Sequence, residues 1–171
     1  ANITAMSGGR LTIKVYSAGE LVPALECLGA VANGTAQMGH DAAYYHAGKS
    51  EGCAFFTAFP FGFTMGEMAA WIKHGNGQKL WDELYAPFGI RGFQAGSTGT
   101  QMFGWFRREI RSLADLDGLK FRTPGNQGRV LQKLGVTPVS LPGGEIFPAL
   151  QSGAIDGAEW VGPYNDLALG F

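Results

Sequence analysis

The sequence predicts an α/β chain with mostly parallel strand pairing, and three observations carry that expectation. Apolar residues make up 46% and charged residues 16% of the 171-residue chain. That is the balance of a globular protein able to bury a core. Short alternating or apolar runs are interleaved with runs of helical spacing along most of the chain, the pattern of strands joined by helices. Glycine supplies 27 residues, well above a usual share of about 7%, so tight turns separate the elements.

The elements follow in order. Ile3 and Met6, closed by Gly8-Gly9, read as the end of a helix. Leu11, Ile13 and Val15 alternate with Thr12, Lys14 and Tyr16, which predicts a half-buried strand. A helix over 20–32 sets Leu21, Leu25, Leu28 and Val31 on one side and stops at Asn33-Gly34. A short strand is expected over 35–39, irregular or weakly helical chain over 40–52, and a strand end running into a loop over 55–63. Thr64-Met65-Gly66-Glu67 fits a capping box, with Met68, Trp71 and Ile72 behind it. A second helix is expected over about 77–86, then extended chain over 90–94. Ser112 to Asp115 is another capping box, and its short helix ends at Gly118. Strands over 119–123, 136–141 and 158–161 alternate with helices over 127–134 and 145–152. Pro148 is tolerated near the first turn of the latter. A last helix starts at Pro163. A boundary near Ala95 is plausible, because Gly92, Gly96 and Gly99 loosen the backbone there. The chain thus opens and stops inside helical patterns, and the expectation is a piece whose neighbours on both sides are missing.

Charge and motifs narrow the function. Thirteen Lys and Arg nearly balance fourteen Asp and Glu, for a net charge of −1. No basic stripe is present, which argues against nucleic acid as a partner. No apolar run approaches the length that spans a bilayer. Cys27 and Cys53 show neither CxxC spacing nor a His cluster; small core thiols are the favoured reading, and a disulfide stays open. No GxGxxG, Walker loop, GxSxG or HExxH is present. His40, His46 and His74 make no local metal pair, and Asp156 with Glu159 is only a weak acid pair.

Two strand ends carry the chemistry. Arg122 closes Leu119–Thr123 just before a helix, where ligands of open α/β sheets bind. A guanidinium there can grip a carboxylate by two parallel hydrogen bonds. An ordinary surface ion pair uses the same residue type, and taken singly that is the commoner case. Glu159-Trp160 closes the last strand. It suits a pocket wall with a carboxylate for a hard cation, or equally a core Trp with Glu159 turned to solvent. Gln101, after Gly96-Ser97-Thr98-Gly99-Thr100, adds a neutral oxygen.

Three segments together, Gly118–Gly125, Leu134–Val139 and Glu145–Glu159, resemble the extracytoplasmic substrate-binding subunit of TRAP transporters. Ser7–Leu11, Gly19-Glu20-Leu21 and Ala42–Tyr45 fit its first lobe, so the resemblance covers essentially the whole chain. Glu159–Pro163, and Gln101 with Gly104–Arg107, look most like the branch that binds 2-oxo acids and lactate.

The resemblance implies a two-lobed periplasmic-binding-protein-like α/β fold with mixed sheets, incomplete at both termini. Lobe one would cover 1–95 and lobe two 96–157, with 158–171 crossing back. It implies no enzyme, but capture of a small 2-oxo or 2-hydroxy monocarboxylate in the periplasm and delivery to the permease subunits in the membrane. Arg122 would hold the carboxylate. A bound sodium or calcium ion would be held by Gln101, Glu159 and Trp160, the last through its backbone carbonyl. Tyr44, Tyr45 and Phe61 would line the first-lobe side, and Asn165 would reach in from the last helix. The family includes monomers and homodimers. Two other readings stand beside this one: a metal-dependent enzyme acting on a carboxylate, and a binder of sugar acids on the same fold.

Overall fold

The computed structural model describes residues 2–171, so Ala1, the first residue of the expected first lobe, lies outside the described residues. The chain divides into two compact units, 1–39 and 40–171.

In the first unit, α1 (Asn2–Met6) ends on two left-handed glycines, Gly8 and Gly9, whose N–H groups return to Ala5 O and Thr4 O. The strand expected over 11–16 joins no ladder. Alternation licenses an extended backbone, but a strand also needs a partner edge, and none pairs with it among the described residues. Helix α2 (Cys27–Ala32) follows a single 3-10 turn, Ala24–Glu26. Pro23 moves the expected start from 20 to 24, because its ring bars the preceding residue from helical backbone. Asn33 closes the helix, accepting from Thr35 N at 3.0 Å. The strand expected over 35–39 is loop.

The second unit begins with 3-10 turns at Ala43–His46 and Glu51–Phe56, in keeping with the irregular or weakly helical chain expected over 40–52; the second turn runs on through 55–56, in place of the start of the strand end expected over 55–63. His46 is buried and pairs with Asp41 at 2.5 Å. Cys53, a free thiol, is fully buried nearby in sequence. Helices α3 (Met65–His74) and α4 (Gly77–Tyr85) form a hairpin. The α3 capping box is complete: Thr64 Oγ1 accepts from Glu67 N, and Glu67 accepts from Thr64 N at 2.8 Å. Phe56 stacks on Trp71 and on Trp81, with centroids 5.4 and 5.0 Å apart, and ties the hairpin to the preceding turn. Residues 90–94, where extended chain is expected, belong to no ladder.

A four-stranded sheet holds the rest, in the order β1-β4-β2-β3. Strands β2 (Lys120–Arg122), β3 (Thr137–Val139) and β4 (Gly157–Ala158) run parallel, and β1 (Trp105–Phe106) is antiparallel to β4. The fold is therefore mixed α/β with a mixed sheet, as expected; β1 has no counterpart in the sequence reading. The strands are shorter than expected, because only the residues that share a ladder count. Helices α5 (Gly125–Gln132) and α6 (Gly143–Ser152) make the crossovers, and α7 (Pro163–Asp166) follows β4. One face of the sheet packs Leu116, Leu119, Phe121, Leu131 and Val136 into a core; a second cluster joins Ile146, Ile155 and Ala158. No helix among the described residues is long and apolar enough to cross a membrane.

Candidate functional site

Parallel pairing puts the carboxyl ends of β2 and β4 side by side, with Arg122 opposite Ala158 in the register. The residues that follow, Thr123 on one strand and Glu159-Trp160 on the other, emerge at the same edge. Arg122 is 1% exposed and Glu159 4%. A buried guanidinium needs partners, and four of the five N–H groups of this one have them. Its Nε donates to Leu141 O at 3.0 Å, its Nη1 to Glu159 O at 2.8 Å and Glu159 Oε1 at 2.9 Å, and its Nη2 to the Tyr45 hydroxyl at 3.3 Å. The guanidinium also lies over the Trp160 ring, 5.0 Å from its centroid, a favourable cation–π arrangement.

The supporting residues explain the geometry. Trp160 seats against Gly143 at the start of α6, where a Cβ would come within 2.7 Å of the indole. Tyr44 and Tyr45 meet edge to face at 4.8 Å. Gly125 lets them approach: its φ is +65°, and a Cβ there would stand 3.1 Å from Tyr44 Cβ. Asp166 is fully buried at the end of α7. It accepts from Trp105 Nε1 at 2.8 Å and from Val161 N at 3.0 Å, bracing the chain just after Glu159-Trp160. Asp156 bridges β2 and β4 from below, accepting from Lys120 N at 2.9 Å.

Burial, and then the nearby Asp166 carboxylate, push the Glu159 carboxyl up to about 7, against the downward pull of Arg122. Burial, with Tyr45 and Glu159 beside it, also holds the Tyr44 phenol well above its ordinary value.

Arg122, Glu159, Trp160, Tyr44 and Tyr45 come together in this group. Gln101 is exposed, and its Nε2 donates to Thr98 Oγ1 at 2.9 Å. The next residue binds it to the strand end: Met102 N donates to Val161 O at 3.0 Å. Phe61 stands fully exposed on a turn with a φ of +60°, and Asn165 is exposed on α7. Neither makes a side-chain hydrogen bond or ring contact with the group among the described residues. Asp166, Leu141 and Gly143 were not singled out in the sequence. An acid in a short helix, a backbone carbonyl and one glycine among many carry no signal of their own.

Among the described residues no cluster of three or more His, Cys, Asp or Glu stands ready for a metal. A cation here would draw on the Glu159 carboxylate, the Gln101 amide oxygen and the Trp160 carbonyl. All are hard oxygen donors of the kind sodium and calcium take, and the Met102–Val161 bond ties their segments together. The donor set fits such an ion.

A sequence model of bacterial extracellular solute-binding protein family 7 (DctP) matches residues 1–171. A monocarboxylate 2-oxoacid-binding periplasmic protein of Nostoc sp. is 51% identical over 168 residues, covering 98% of this chain and 46% of that protein. A TRAP transporter solute-binding protein from Bordetella bronchiseptica, a dimer with calcium and picolinate in one active site, is 43% identical. It superposes with a TM-score of 0.95 over 99% of this chain and 50% of its own. A TRAP periplasmic solute-binding protein from Pseudoalteromonas atlantica, with bound sodium and pyruvate, is 48% identical. Its TM-score is 0.94 over 98% of this chain and 51% of its own. The chain spans about half the length of these relatives.

Proposed function

The chain belongs to the DctP family of bacterial extracellular solute-binding proteins, and from that premise we propose that the protein captures a small 2-oxo or 2-hydroxy monocarboxylate with a bridging sodium or calcium ion. It does so in the periplasm and delivers the acid to the membrane permease of a TRAP-type transporter. The observation that carries this is the buried group at the ends of β2 and β4. A guanidinium, a carboxylate and an indole converge there, and relatives of 43–51% identity bind or are named for 2-oxo or aromatic carboxylates.

Each residue has a role in this reading. Arg122 directs an N–H toward the acid's carboxylate. Trp160 walls the site, and Tyr44 and Tyr45 close it from the other side, with Phe61 and Asn165 joining when the ligand is held. Gln101, Glu159 and the Trp160 carbonyl hold the cation, which supplies positive charge to the acid's oxygens when bound. Residues 1–95 serve the first lobe, 96–157 the second, and 158–171 lead back. The ligand stabilises the closed state through its differential affinity, and no bond is made or broken.

The test is a calorimetric panel on the full-length protein, with calcium present: pyruvate, longer 2-oxo acids, lactate, glucuronate and malonate. Tight binding confined to the 2-oxo and 2-hydroxy monocarboxylates is expected. Preference for a sugar acid or a dicarboxylate would overturn the substrate class, and consumption of a bound acid would overturn the transport role.

A further inference from the structure

Arg122 presents five N–H groups. One goes to Leu141 O, two to Glu159, and one, at the longer distance of 3.3 Å, to Tyr45. A single Nη2 N–H remains for a ligand. The guanidinium is therefore not an open fork awaiting a carboxylate, because a carboxylate already occupies it. The Glu159 Oε1 contact is 2.9 Å, and both side chains are almost wholly buried. In such a place charges are poorly screened, and the Asp166 carboxylate adds further negative charge.

We propose that Glu159 is the counter-ion that sets the specificity of this site: by cancelling the charge of Arg122 it makes the site refuse a bare monocarboxylate and accept one only in company with a cation. The inference rests on the cation-assisted reading above and goes beyond it. Holding a cation is one task. Removing the net attraction that Arg122 would otherwise exert on any small carboxylate is another, and the second makes the cation obligatory. The geometry supports it directly: the protein's own carboxylate sits where a free anion would otherwise bind, and the residual Nη2 contact gives orientation without net charge.

The two tasks separate in Glu159→Gln, which keeps an oxygen near the same place and removes the charge. Calorimetry would titrate pyruvate into the parent and the variant in mildly alkaline buffer, with calcium or with chelator. The parent is expected to lose about tenfold or more in affinity when calcium is withdrawn. In chelator the variant is expected to bind pyruvate about tenfold or more tighter than the parent does, so that its calcium-to-chelator ratio collapses. A folded variant that binds in neither condition, or that still needs calcium, overturns the counter-ion role and leaves the cation-assisted reading standing. A parent that binds no 2-oxo acid with either cation overturns that reading and this one together.

Should the variant fail to fold, the parent alone decides. Pyruvamide has the shape of pyruvate without its charge. In chelator it is expected to bind the parent about tenfold or more tighter than pyruvate does, because the counter-ion turns away only the bare anion. Pyruvate that binds in chelator as tightly as pyruvamide, or more tightly, overturns the proposal.

Discussion

At the scale of single residues, the group at the ends of β2 and β4 depends on partners that cannot be replaced by water. Arg122 is the anchor in this account, and Arg122→Ala removes a buried, charge-assisted contact. A loss of about 2–5 kcal/mol in acid binding is expected by calorimetry; unchanged affinity would remove its role. Asp166 tests the scaffold rather than the ligand. Asp166→Ala leaves Trp105 Nε1 and Val161 N without their acceptor. Both donors are part-buried, so each is expected to cost about 1 kcal/mol, the low end for an orphaned group, read as a fall in unfolding free energy by denaturant titration. These residues differ in how far the sequence announced them. Arg122, Glu159 and Trp160 stand at strand ends beside Gly and Pro, a local sign that chemistry is placed there. Asp166 gives no such sign: its partner Trp105 is 61 residues away, and the pairing of β1 with β4 brings the two together. Tyr45, on a 3-10 turn outside the sheet, meets Arg122 across 77 residues and is as little announced.

At the scale of elements, what is local was legible and what is paired was not. The capping boxes at Thr64–Glu67 and Ser112–Asp115 are present as read, because a cap is settled within four residues. The runs at 11–16, 35–39 and 90–94 read as strand or extended chain in the sequence and join no ladder, because a ladder depends on distant chain. The same logic shortens β3 to the residues opposite β2. The caps also predict a pH response. Backbone N–H groups, from Thr64 for Glu67 and chiefly from Arg111 and Ser112 for Asp115, hold both carboxyls below their ordinary values. Their contribution is therefore complete above the usual carboxylate range and is lost as pH falls through the lowered folded-state values. Glu67→Gln and Asp115→Asn should each flatten the acid side of the stability–pH curve, measured by urea unfolding from neutral to acidic pH. Identical parent and variant curves would show the caps to be silent. Thr64→Ala is expected to cost about 1 kcal/mol at neutral pH in the same assay.

At the scale of the whole molecule, the sheet acts as a positioning device. Parallel pairing of β2 and β4 sets Arg122 beside Glu159-Trp160, antiparallel β1 brings the Gln101–Arg107 segment alongside, and α7 returns Asp166 beneath them. A charged pair buried in this way stabilises little by itself. In the proposed function a small 2-oxo acid and a cation are held together, each needed for the other. The most direct measurement is a thermal melt of the full-length protein with pyruvate alone, calcium alone, both together, and pyruvate with chelator. Ligands that bind only the native state raise the Tm by mass action. The account predicts that the pair raises the Tm well beyond the sum of the two alone, and that chelator abolishes the effect of pyruvate. An equal rise from pyruvate with and without chelator, or no rise from the pair in a protein that melts cooperatively, would contradict it.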